Sequence, residues 1–158
     1  MKKWIVLLLI LMVGLKAKGQ DYTDEIKLMT DSAISINYAE MRKYVDKKLL
    51  KTAYFDNLFI INEYNEPLDY LRAPVRLNLK RLNLSDRKSK KIVGKGVNVW
   101  KVITSLKNDK FYIVIIDLYV TYKKSVYNLS NGGGLEVIFQ YSHGENRWLL
   151  LSTKRGSV

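Results

Sequence analysis

Phe111-Tyr112-Ile113-Val114-Ile115-Ile116-Asp117-Leu118-Tyr119-Val120-Thr121-Tyr122 is the stretch on which the fold turns. Its Ile, Val and Tyr content favours the pleated, half-buried surface of a strand. From Tyr112 to Ile116 it is apolar on both parities, so both faces of this strand are covered and it lies centrally in its sheet. Before it, Lys107-Asn108-Asp109-Lys110 reads as a hairpin turn back to a strand over Val97 to Leu106. After it, Ser125 to Leu129 reads as a further edge piece. Asn131-Gly132-Gly133-Gly134 reads as a loop that needs unusual backbone angles. Leu135 to Ser142 and Arg147 to Thr153 then form a second hairpin about His143-Gly144-Glu145-Asn146.

The first half of the chain has a different period. Ile26, Met29, Ala33 and Ile36 recur at helical spacing, and so do Met41, Tyr44 and Leu49, which predicts helix over Asp21 to Thr52. The register shifts at Asn37-Tyr38, where a break into two helices is expected. Thr23 or Asp24 would cap the start, with Glu25 in the first turn. Leu58 to Asn62 reads as a short strand and Glu63 to Pro67 as a loop. Val75, Leu77 and Leu79 alternate with Arg76, Asn78 and Lys80, which predicts a strand over Val75 to Leu84 with a bulge or an end at Lys80-Arg81. Ser85 would cap a short helix ended by Gly94 or Gly96, and otherwise the segment is a polar loop. The fold class is therefore α+β: an N-terminal helix, or helix pair, packed on a curved antiparallel sheet of long C-terminal strands.

The first nineteen residues belong to neither pattern. Met1-Lys2-Lys3 is a positive start, Trp4 to Leu15 is apolar, and Ala17-Lys18-Gly19 places small residues at the positions signal peptidase reads. An apolar run of this length spans about 18 Å as a helix, short of a hydrocarbon core of about 30 Å. Residues 1–19 therefore read as a secretory signal peptide cleaved before Gln20, and residues 20–158 as one α+β domain in the periplasm or outside the cell. No cysteine follows the run for lipid attachment. The whole chain has none, which excludes disulfides, thiol catalysis and zinc–cysteine sites. Loss of the leader's four lysines lowers the net charge from +12 to +8. Outside the cytoplasm the expected partners of such a surface are an envelope protein or a polyanionic glycan or lipid, rather than nucleic acid.

Two resemblances follow from particular residues. Gly96-Val97-Asn98-Val99-Trp100-Lys101-Val102, Ile115-Ile116-Asp117, Val120-Thr121-Tyr122-Lys123-Lys124, Asn131-Gly132-Gly133-Gly134 and Tyr141-Ser142 resemble a group of small uncharacterised secreted proteins of Bacteroidota. That resemblance implies a lineage and a shared fold but no activity. Helix first and long curved strands later is similar to the cone-shaped nuclear-transport-factor-two-like superfamily, which implies a concave sheet and the room for a pocket.

Candidate sites are few. Arg87, Lys88, Lys90, Lys91 and Lys95 form a compact basic run, with Arg72, Arg76, Lys80 and Arg81 before it. A solvated charged face is its ordinary meaning and a polyanion site its sharper one. Gly132, Gly133 and Gly134 would let a ligand or partner approach the backbone closely. Asp117 interrupts an apolar strand. The plainer expectation has the strand turn to solvent there. The alternative is a pocket of Asp117, Tyr119 and Glu136, in which Asp117, its pKa raised by burial, acts as a general base. His143, the only histidine, sits in a turn and reads as a surface residue rather than a metal ligand. Asp31-Ser32-Ala33 matches a short glycan-acceptor pattern. No metal or cofactor is expected. The reading that follows is a non-enzymatic envelope binding protein, for instance an immunity-type inhibitor, contacting its partner through the basic run and the glycines. The rival is a small-ligand pocket or weak enzyme using Asp117.

Overall fold

The computed structural model describes residues 2–69 and 71–156, with side chains from Asp24 onward. The signal-peptide reading of residues 1–19 falls on side chains outside that range. Helix α1, Lys2–Asp46, is followed by a short helix α2 (Ala53–Asp56) and strand β1 (Leu58–Ile61). Next come a single helical turn α3 (Ala73–Arg76), the two-residue strand β2 (Lys80–Arg81) and helix α4 (Arg87–Val93). Four long strands complete the chain: β3 (Val97–Lys107), β4 (Lys110–Lys123), β5 (Val126–Ser142) and β6 (Arg147–Gly156). They form one curved, open, six-stranded sheet in the order β2-β1-β3-β4-β5-β6. β1 runs parallel to β2 and β3, and every other pairing is antiparallel.

β4 is central, as its two apolar parities require, and each of its faces meets a separate core. Phe111, Ile113 and Ile115 lie with Trp100, Val102, Leu135 and Val137 under α1. Val120, with Val97 and Val99, lies under Leu82, Leu84 and Val93 on the other face, where α4 packs. α1 presents Met29, Ala33, Ile34, Asn37 and Met41 to the sheet, one buried stripe at helical spacing. The helix therefore does not break at Asn37-Tyr38. The apparent register shift arises because a polar residue, Asn37, occupies a core position. Nor does the helix begin at Thr23 or Asp24, since it runs straight through them.

Three further expectations are corrected. Val75 to Leu84 is no strand: the Asp31 carboxylate accepts the Arg72 and Ala73 amides at 3.2 and 2.7 Å and nucleates α3, with Pro74 in its first turn. Asn78, at φ +56, ends that turn, leaving only Lys80–Arg81 extended. Asp86 rather than Ser85 caps α4, accepting the Lys88 amide at 3.0 Å. The glycine triplet is not a loop between strands, because β5 runs unbroken through it for 17 residues. The β3–β4 turn is as expected. Asn108 and Asp109 both adopt positive φ, the two-residue turn whose twist matches the strands it joins.

Candidate functional site

The glycines and Asp117, which belonged to rival readings of the sequence, come together. Ile116 pairs with Gly134 and Leu118 with Asn131, so Gly132 and Gly133 together oppose the single residue Asp117. Two residues against one is a β-bulge, which bends the strand and re-aims a side chain. Gly133 takes φ +97, and a Cβ there would also lie 3.0 Å from the Gly156 carbonyl oxygen. Only glycine is at ease in that position.

Asp117 points under α1 and is 8 % exposed. The expectation that the strand turns to solvent here is wrong by one step: the phase reaches solvent at Tyr119, not at Asp117. Arg155 lies on the same face of β6, beside Leu135, and its Nη1 donates to Asp117 Oδ2 at 3.0 Å. Nη2 of Arg155 donates to Asn37 Oδ1, which ties the C-terminal strand to α1. Next door the Trp100 indole donates to the Tyr54 hydroxyl at 2.9 Å. Burial pushes the Asp117 carboxyl above the ordinary carboxylate range. The Arg155 guanidinium pulls it down, with the Asn37 and Trp100 side chains helping, but burial wins. Burial, with the Asp117 charge, likewise raises the Tyr54 hydroxyl well above its ordinary value.

This polar group borders a cavity of about 490 Å³. Met41 and Tyr44 at the end of α1 and Leu49 and Leu50 just after it form an apolar wall. The three glycines, with Gly156, form a wall without side chains, and Asp117 and Arg155 lie between the two. The guanidinium sits 6.0 Å from the centre of the Tyr44 ring. Asp117 Oδ1, Arg155 Nε and Asn37 Nδ2 are buried without a well-formed hydrogen bond, although the Asn37 amide and the Trp100 indole lie close enough to Asp117 to favour its charged form. Unmade bonds of this kind each cost about 1–3 kcal/mol, and these atoms are enclosed by the protein, so that cost is carried inside the fold beside the cavity.

The other predicted residues lie elsewhere. Glu136 opposes Val114 and Lys154 on the reverse face of the sheet. Tyr119 packs its ring over Gly96, where a Cβ would strike the hydroxyl at 1.9 Å. The pocket of Asp117, Tyr119 and Glu136 is therefore not assembled. Arg87, Lys88, Lys90, Lys91 and Lys95 are exposed on and just after α4, across the sheet from the glycines, so those two halves of the expected contact surface are separate. His143 is an exposed turn residue 3.9 Å from Asp109. Among the described residues no group of three His, Asp or Glu gathers as a metal site. Asp31 is spent on capping α3, with exposed Ser32 beside it. Arg155 and Asn37 were missed. Arg155 sits in a charged C-terminal run and Asn37 in a helix, 118 residues apart, with no local pattern joining them. No family model, curated protein or solved structure matches the chain.

Proposed function

We propose that this chain is an exported, non-enzymatic binding protein whose ligand sits in the cavity over Asp117 and Arg155. The observation that carries the reading is the Asp117–Arg155 pair set between a wall of glycines and an apolar wall in a cavity of about 490 Å³. An acceptor and a donor side by side suit a molecule that presents a donor next to an acceptor, such as an amide or neighbouring hydroxyls. The pair is neutral as a whole, so an uncharged ligand fits it better than an ion. Leu49, Leu50, Met41 and Tyr44 would cover its apolar body. Binding is favoured over catalysis because Arg155 holds the carboxylate in place, and Tyr44 is the only other titratable side chain in the described lining. Export is supported by the leader of residues 1–19. Among the described residues no helix is long and apolar enough to cross a membrane. The resemblance of its segments to small secreted Bacteroidota proteins accords with this reading and adds no ligand.

A thermal-shift screen of neutral amides and glycosides, with benzamide and a methyl glucoside as first probes, tests it. Leu49 is 71 % exposed at the cavity, so Leu49→Trp narrows the entrance without disturbing the core. Probes should stabilise the wild type and fail on Leu49→Trp. Equal stabilisation of both proteins would sink the reading.

A further inference from the structure

We propose that the face carrying α4 and the tip of the β4–β5 hairpin docks on a bilayer surface rich in anionic lipid. This surface lies across the sheet from the cavity and stands independently of it. The hairpin and the helix form one unit. Lys90 Nζ lies 5.3 Å from the centre of the Tyr122 ring, Tyr122 and Tyr127 meet at 4.8 Å, and the Tyr127 hydroxyl donates to the Leu84 carbonyl at 2.7 Å. That contact sets Arg87, Lys88, Lys91 and Lys95 beside the hairpin turn that carries Lys124, all five exposed. The segments 82–101 and 118–130 that build this face contain one acid, Asp86, and its carboxylate is engaged in capping α4.

Charge alone would suit any polyanion. The apolar side chains decide between them. Ile92 on α4 is 45 % exposed and Leu129 is 50 % exposed. Leu129 pairs with Val120 and so shares the α4 face with Tyr127. A soluble acidic glycan gains nothing from exposed Ile and Leu. A lipid surface takes both parts: the cations meet phosphate head groups and the apolar tips enter the boundary of the acyl chains. The five cations are spread over a helix and a turn rather than converging on a cleft, which matches a flat array of phosphates.

The test is vesicle flotation of the full chain, with mixed phosphatidylglycerol and phosphatidylcholine vesicles against pure phosphatidylcholine. The apolar leader is common to every protein compared, so the readout is the difference between wild type and variants. Lys88→Glu with Lys91→Glu and Lys124→Glu should weaken partition onto the anionic vesicles by at least about tenfold and leave partition onto neutral vesicles unchanged. Ile92→Ser with Leu129→Ser should weaken it as well, and most visibly at high salt, where screening leaves the apolar contribution. All five positions are exposed, and the single Lys91→Gln provides a milder variant with the same expected direction. Wild-type partition by the charge-reversed protein would overturn the proposal. So would an Ile92→Ser, Leu129→Ser protein that binds anionic vesicles and soluble heparin as the wild type does, because the face would then read charge alone.

Discussion

Asp117 and Arg155 are each unfavourable alone and tolerable together. Taking a carboxylate out of water costs several kcal/mol, and the guanidinium at 3.0 Å returns part of it. The raised Asp117 pKa means the folded chain holds that proton more tightly than the unfolded chain. Its contribution to stability is therefore present below the ordinary carboxylate range and is lost as pH rises through the raised value. Asp117→Asn removes that slope, so denaturant midpoints measured across pH should move in the variant's favour as pH increases. Arg155→Met has the opposite consequence, since it leaves the buried carboxylate without its cation. It should destabilise the protein by about 3 kcal/mol at neutral pH and by clearly less as pH falls and the carboxyl takes up its proton. Gly133→Ala should cost about 1–2 kcal/mol, because its φ of +97 disfavours any side chain and the Gly156 carbonyl crowds the added methyl.

Elements were legible in the sequence where one physical rule governed them. β3, β4 and the turn between them follow from β-branched and aromatic content on either side of Asn108-Asp109, and each matches the structure to within a residue or two. Reading failed where a distant group overrode the local pattern. Val75, Leu77 and Leu79 alternate like a strand, yet Asp31, more than forty residues earlier, supplies the carboxylate that turns the segment into α3. Asp31→Ala should therefore cost about 1 kcal/mol in thermal or denaturant stability and loosen α3 rather than α1. The glycine run looked like a loop because three glycines lack strand propensity. Pairing with β4 on one side and β6 on the other holds Gly134 in the sheet and leaves Gly132 and Gly133 as the bulge. The candidate site was half legible for the same reason. Asp117 stood out as a charge in an apolar strand, whereas Arg155 and Asn37 join it only through the topology that lays β6 beside β5 and α1 across them.

At the scale of the whole molecule, the sheet separates two surfaces of different character. One face carries α1, the larger core and the neutral cavity. The other carries α4, a smaller core and the basic patch with its apolar tips. Such a division suits a protein that holds a small molecule on one side while resting on a surface by the other. The described core begins at Met29, beyond residues 1–19, so the chain from Gln20 should melt at the same temperature as the full chain. Mass spectrometry of the product from its own cells should show Gln20 as the first residue, and retention of Met1 would contradict export by cleavage. The measurement that bears most directly on the central claim is amide NMR of the protein during titration with a probe found by the thermal-shift screen. The predicted result is a saturable shift of the Gly132, Gly133 and Gly134 amides and of the Arg155 Nε–H, absent in Leu49→Trp. Shifts confined to other parts of the molecule, or unchanged by Leu49→Trp, would contradict a ligand seat over Asp117 and Arg155.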